Sequence, residues 1–302
     1  MRLLTTLMGS SCVVPVVVLG VSAYERTLIS ADHYHIASPE LPIEFEGTKI
    51  VFLSDLHNAV FGRGNRGLMQ VIDEEQPDFI LVGGDMIIGK SNYTTEIAFP
   101  LLKRLAKKYQ IICANGNHEF RLKIYRKKYG TQYDDYVTKL REHGVVYLEN
   151  QTAVLRKGNA QISVSGLEIG RKYYRRRAKT PMDPSYLNQT LGEKKEGDFR
   201  ILLAHNPLYF PEYAKWGADL VLSGHNHGGL IRIPHLGGLI SPQMTFFPEY
   251  DAGYYEMGDS QMIISRGLGT HTFHIRVRNY PELSVIKLYR RKKKQQDQDG
   301  DS

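Results

Sequence analysis

The sequence predicts an α/β fold in which two mixed β-sheets pack face to face between flanking helices. Three observations carry this expectation: short apolar runs recur along the chain, helical stretches separate the first of them, and a strand-rich part comes after. The runs are Ile-Val-Phe-Leu at 50–53, Phe-Ile-Leu-Val at 79–82, Ile-Ile-Cys-Ala at 111–114, the alternation at 162–167, Ile-Leu-Leu-Ala at 201–204 and Leu-Val-Leu at 220–222. Continuous apolar runs this short read as strands buried on both faces of a sheet. Residues 67–75, 97–108 and 133–143 have helical character. Strands alternating with helices imply a largely parallel sheet covered by helices. Further strands from Leu230 through Ile264 to the run at 283–288 point to a second sheet packed on the first within one domain. No internal repeat is visible.

Composition agrees with a folded domain. The 302 residues are 42% hydrophobic and 24% charged, which excludes a disordered chain and leaves ample material for a core. Lys and Arg number 39 against 32 acidic residues, a net charge of +7. Such a surface favours phosphates, nucleic acid, acidic lipid or an anionic polymer without choosing among them. The two cysteines, Cys12 and Cys113, lie far apart and lack the spacing of a thiolate metal site, so no structural disulfide is expected.

Residues 1–26 stand apart from the predicted fold. The stretch from Leu3 to Tyr24 is almost uncharged, just long enough to span a bilayer as a helix. Val21-Ser22-Ala23 also fits a signal-peptide cleavage site, and a buried core helix is the third reading. An uncleaved single anchor is the favoured one, holding residues 27–288 as a catalytic domain at the outer face of the cell membrane. Residues 289–302, rich in Lys, Arg, Gln and Asp, are expected to be a disordered charged tail.

The residues immediately after each apolar run are more informative. The run ending at Leu53 leads into Ser54-Asp55-Leu56-His57, and the one ending at Val82 into Gly83-Gly84-Asp85. Ala114 is followed by Asn115-Gly116-Asn117-His118-Glu119, and Ala204 by His205. Leu222 leads into Ser223-Gly224-His225-Asn226-His227. In α/β sheets ligands bind beyond the carboxyl ends of strands, so these side chains should converge. Imidazoles mixed with carboxylates and an amide oxygen suit Mn²⁺, Zn²⁺ or Fe, and the absence of thiolates disfavours a structural zinc site. Seven donors exceed what one tetrahedral ion uses, whereas two ions sharing a carboxylate need about this many. Paired ions can clamp a phosphoryl group and activate water for in-line attack. Singly, each residue has a plainer reading: Asp85 and Asn117 as turn residues, His205 as a structural histidine. It is the joint pattern at five strand ends that argues for chemistry.

These five blocks, in this order, resemble the signature of the calcineurin-like metallophosphoesterase superfamily, and the likeness extends over residues 49–270. The chain looks most like its bacterial membrane-associated members, in which a short extended segment, here residues 41–46, precedes the first core strand. The resemblance implies a four-layer sandwich and two divalent metal ions. One ion would take Asp55, His57, Asp85 and His227. The other would take Asp85, Asn117, His205 and His225, with Asp85 bridging. His118 would sit by the leaving-group oxygen as general acid or transition-state stabiliser, where an imidazole pKa near 6.5 suits proton transfer.

Two basic segments remain. Residues 171–179 carry six cations and residues 121–128 carry five, read either as solvated loops or as a rim that attracts an anionic substrate. The function expected is hydrolysis of phosphodiesters or phosphomonoesters, with a lipid-linked or cell-envelope substrate preferred. The alternatives are a catalytically silent phosphate-binding protein on the same fold and a nucleic-acid binder. No motif for specific nucleic-acid recognition is visible, and every expected ligand position is filled. His33, His35 and His143 read as surface residues, while nothing requires His235, His271 or His274 in the cleft. Oligomeric state leaves no mark in the sequence.

Overall fold

The computed structural model describes residues 17–174, 179–242 and 244–292. Helical residues 17–25 form α1. The first half continues with β1 (Ser30–Ser38), β2 (Lys49–Leu53), α2 (Arg66–Glu75), β3 (Phe79–Val82), α3 (Ala98–Leu105), β4 (Gln110–Ala114), α4 (Asn117–Ile124), α5 (Arg126–Tyr129), α6 (Gln132–Glu142) and β5 (Val146–Leu148). The second half comprises β6 (Gln151–Lys157), β7 (Ala160–Leu167), α7 (Tyr186–Leu191), β8 (Arg200–Ala204), α8 (Phe210–Trp216), β9 (Leu220–Ser223), β10 (Arg232–Ile233), β11 (Gly237–Gly238), β12 (Gly253–Met257), β13 (Ser260–Ile264) and β14 (Glu282–Arg290).

Two six-stranded sheets result, in the orders β1-β14-β2-β3-β4-β5 and β12-β13-β9-β8-β7-β6. Strands β2 to β5 run parallel, as do β7, β8, β9 and β13, and each sheet also contains antiparallel pairing, so both are mixed. Successive side chains of a strand point to opposite faces, and here both faces are covered. Ile50, Phe52, Leu81 and Ile112 meet Val164, Ile201, Leu203 and Leu222 in the core between the sheets. Val51, Leu53, Ile80, Val82 and Ile111 pack on the other side against Leu68, Ile72, Leu101 and Leu140 of α2, α3 and α6. Leu202, Val221 and Ile264 meet Phe210, Tyr213 and Trp216 of α8. The layers are therefore helix, sheet, sheet, helix, the predicted sandwich. Burial of both faces is why the central strands are continuously apolar rather than alternating.

The entry to the fold differs from the expectation. Residues 41–46 are not extended. They contain a 3-10 turn, Ile43–Phe45, that tucks Leu41 and Phe45 into the inter-sheet core. The unexpected element is β1, an edge strand bearing Asp32, His33 and His35, paired along its length with β14. Its polar composition hides it, although Ile36 and Ser38 are buried. The segment before it also packs on the domain. Ser22 and Glu25 are buried, and Ser22 Oγ accepts the backbone N–H of Arg276 at 2.8 Å. Most of the apolar run, with Cys12, lies outside the described residues, as do Arg175, Arg176, Arg177 and most of the charged tail. Among the described residues no helix is long and apolar enough to cross a membrane. Cys113 is a buried free thiol.

Candidate metal centre

The loops after β2, β3 and β4 of one sheet meet those after β8 and β9 of the other. Asp55 Oδ1 lies 3.2 Å from His227 Nε2, 3.5 Å from His57 Nε2 and 3.6 Å from His205 Nε2. Asp85 Oδ2 lies 3.2 Å from His205 Nε2, 3.8 Å from His57 Nε2 and 3.9 Å from His118 Nε2. Ligand atoms of Asp85, His205 and His225 fall within 4.8 Å of one another. Asn117 lines one cavity with His118 and His225. All the side chains singled out in the sequence thus come to one rim.

Backbone contacts hold them there. The N–H groups of Asp55 and His57 donate to the carbonyls of Gly84 and Asp85, each at 3.0 Å, zipping the first loop to the second. The N–H of His118 donates to Asp85 Oδ1 at 2.7 Å. Glu119, also buried, fastens the second loop to the third. Its carboxylate accepts N–H bonds from Asp85 at 2.8 Å, Met86 at 2.8 Å, Ile87 at 3.2 Å and Gly116 at 3.0 Å. The two loops touch so closely that a Cβ on Gly84 would collide with the Gly116 backbone, and one on Gly116 with Asp85. Only glycine fits there. Five of the seven candidate ligands, Asp55, His57, Asp85, His225 and His227, adopt left-handed backbone with φ between 46° and 73°. Such conformations at non-glycine residues persist where the surroundings enforce them.

Charge in the cluster is strongly redistributed. Burial opposes ionisation of Asp55 and Asp85, yet the surrounding imidazoles outweigh it and hold both carboxyls well below the usual range. Burial also works against a charged His205, but Asp85 and Asp55 prevail and raise it to about 10. For His225 and His118 the pull of these carboxylates is outweighed, and burial pushes each down to about 3. The pKa near 6.5 expected for His118 is therefore not met, because its ring is buried. His205 Nδ1 lies 2.8 Å from the Gly83 carbonyl. Donation there turns Nε2 toward Asp85.

The donor set fits borderline divalent cations. Asn117 Oδ1 is buried without a hydrogen-bond partner among the described residues, and an orphaned buried acceptor calls for an explanation. A divalent ion supplies one.

Metal loading should depend on pH. A histidine whose pKa is raised on folding contributes stability fully below its unfolded value of 6.5, lost as pH rises through about 10. In stripped protein an ion held by His205 would have to displace that proton. Loading at pH 8 should therefore release about one proton from His205, with affinity rising with pH. Calorimetric titration in buffers of different ionisation enthalpy measures this release, and a value near zero would contradict it.

One residue of the centre escaped sequence reasoning. The ring of His271 lies 4.5 Å from that of His57, 4.9 Å from His118 and 5.4 Å from His227. Its loop is pinned by the buried Arg276 guanidinium, which donates to the carbonyls of Arg266, Gly267 and Gly269. The sequence signal was weak: an apolar strand and a Gly-Leu-Gly turn, with the histidine seven residues past the strand rather than directly after it. His274 lines a neighbouring cavity with His57, while His235 is exposed elsewhere.

Comparison with known proteins shows the family. The chain is 29% identical over 272 residues to the uncharacterized metallophosphoesterase YkuE of Bacillus subtilis, covering 87% of each chain. It is 27% identical over 247 residues to the phosphodiesterase YaeI of Escherichia coli, covering 80% of this chain and 82% of that one. Among solved structures, phosphopantetheinyl hydrolase PptH from Mycobacterium tuberculosis aligns over 73% of this chain and 89% of its own, at 14% identity and a TM-score of 0.41. The family model for calcineurin-like phosphoesterases matches residues 48–229, which contain all seven candidate ligands and His118. The chain belongs to the calcineurin-like phosphoesterase family and is a metallophosphoesterase, a hydrolase acting on ester bonds.

Proposed function

We propose that the protein hydrolyses phosphodiesters or phosphomonoesters with two adjacent divalent ions, drawn from Mn²⁺, Zn²⁺ and Fe. Asp85 carries this reading. Its carboxylate belongs at once to a group with His57 and His118 and to a group with His205 and His225, each compact enough for one ion. A shared carboxylate is what a pair of ions requires. Asp55, His57, Asp85 and His227 would hold one, and Asp85, Asn117, His205 and His225 the other. When bound, the ions supply neutralisation of phosphoryl charge and activation of the attacking water. The name of YaeI supports diesters as the first substrates to assay.

His118 acts from the chain's own side. The Gly89 N–H donates to its Nδ1 at 2.8 Å, so the neutral ring carries its proton on Nε2, the nitrogen facing Asp85. His118 then stabilises the leaving-group oxygen as a neutral hydrogen-bond donor. His118→Ala should slow turnover by ~10²–10³-fold, the range for loss of one stabilising donor, with metal content unchanged. A drop in bound metal would reassign it as a ligand.

A lipid-linked or envelope substrate, with an N-terminal anchor and the domain outside the cytoplasm, is the further part of the proposal. In its support, Ala23, Arg26 and Thr27 share a cavity of about 540 Å³ with His57 and Asn58. Val17, Leu19, Val21 and Tyr24 are exposed on α1, the helix that leads into this cavity. Metal analysis of freshly purified protein and turnover of bis(p-nitrophenyl) phosphate test the core of the reading. Two ions per chain and metal-dependent release of nitrophenol are expected. Failure with Mn²⁺, Zn²⁺ and Fe²⁺ alike would overturn it.

A further inference from the structure

The two basic segments start fifty positions apart in sequence, at Arg121 and Arg171, yet both residues line one cavity of about 390 Å³ together with Asn117, His118, Tyr125 and Tyr174. Arg121 stands one turn after His118 on α4, and residues three apart share a helix face. Arg171 lies over the Tyr125 ring, 5.3 Å from guanidinium carbon to ring centre, and donates to the Tyr125 hydroxyl. Tyr174 packs edge-on against His225, with ring centres 5.1 Å apart. The cavity therefore opens directly from the side of the centre where His118 stands.

Its charges are uncompensated. Among the described residues neither Arg121 nor Arg171 forms an ion pair with a carboxylate. Their neighbours do: Lys123 pairs with Glu149 at 2.8 Å and Glu168 at 2.7 Å, and Arg126 with Asp134 at 2.8 Å. Two such guanidinium groups beside aromatic walls suit a planar or apolar stem carrying a doubly charged oxyanion, which guanidinium forks bind in two-point fashion.

We infer that this cavity receives the leaving group of the substrate, and that the leaving group is an alcohol bearing a phosphate of its own, read by Arg121 and Arg171. The inference rests on the phosphoesterase reading above, with His118 beside the leaving oxygen. A phosphorylated nucleoside and a phosphorylated lipid headgroup share this chemistry.

Matched substrate pairs test it. One pair is a thymidine dinucleotide with and without a phosphate on the leaving nucleoside. The other is glycerophosphoinositol with and without a phosphate on the inositol ring. The wild-type protein should prefer the phosphorylated member of at least one pair by about 10- to 100-fold in kcat/KM, the range for hydrogen bonds to a charged group. Whichever pair shows the preference identifies the source. Arg121→Met and Arg171→Met should each shrink that ratio about tenfold or more, and Arg171→Lys less. Melting temperature and metal content of each variant report its folding independently. No preference in either pair, or a preference that survives both methionine substitutions, overturns the inference while leaving the hydrolase reading intact. Absence of turnover even with bis(p-nitrophenyl) phosphate strikes the hydrolase reading first, and the inference falls with it.

Discussion

Asp85→Ala is expected to leave a folded protein without detectable phosphoesterase turnover and with both ions weakly held. Losing an outer partner of a ligand lowers metal affinity or activity by roughly 10–100-fold. Losing the carboxylate shared by both groups should exceed that. The side chain also accepts the His118 N–H at 2.7 Å and faces the His205 imidazole at 3.2 Å. In the variant His205 loses the partner that holds its proton, so its pKa falls back toward the ordinary imidazole range. Asp85→Asn separates the roles, because its amide oxygen can still accept from His118 while the charge is gone. Metal stoichiometry by atomic spectroscopy on both variants, beside turnover, is the measurement. Two tightly held ions in the alanine variant would remove the bridging role. For metal-free wild type the sign of the pH effect is fixed: the Asp85 carboxyl is depressed, so its contribution is present above the ordinary value of 3.8 and lost as pH falls through the folded value.

Glu119→Ala should produce the largest loss of stability. Four backbone N–H groups, from Asp85, Met86, Ile87 and Gly116, point at one carboxylate. A buried donor left without a partner costs about 1–3 kcal/mol, and water entering the gap recovers part of that. A net loss of roughly 3–6 kcal/mol is expected on those figures, read as a shift in the urea midpoint. Turnover should fall as well, because the Gly84-Asp85 turn would no longer be tied to the Gly116 turn. Glu119→Gln retains one acceptor oxygen but turns an NH₂ toward backbone donors, so it should lie between. Burial raises the Glu119 carboxyl to about 7, against the pull of those N–H groups. A raised carboxyl pKa makes ionisation a burden in the folded state. Deleting the side chain therefore also relieves that desolvation, which offsets part of the cost of the four unpaired N–H groups. An alanine variant as stable as wild type would show that the loops are held by other means.

How much of this was readable in the sequence depended on the kind of signal. The central strands were legible because burial on both faces leaves uninterrupted apolar runs, and the candidate ligands because each comes almost immediately after such a run. β1 was not, since Asp32, His33 and His35 interrupt any apolar pattern, although Ile36 reaches the core and the strand pairs with β14. The 3-10 turn at Ile43–Phe45 was missed for a related reason: two buried side chains four apart, Leu41 and Phe45, leave the local backbone open to either reading. His271 lay beyond the reach of a rule that looks only at strand ends. Arg121 and Arg171 were visible as members of charge runs, but only the folded chain brings them to one cavity. Glu119 was noticed as part of a motif, whereas its work on four N–H groups exists only in three dimensions.

The left-handed backbone at Asp55, His57, Asp85, His225 and His227 bears on how the protein behaves without metal. Each such residue stores on the order of 1–3 kcal/mol, and glycine alone would relieve it without penalty. Glycine, however, brings no donor atom. The chain therefore keeps conformationally disfavoured residues where its chemistry needs them, and a bound cation gives those loops a reason to stay put. Stripped of cations, the rim is where the molecule should begin to open, with backbone amides there exchanging hydrogen ahead of the sheets beneath.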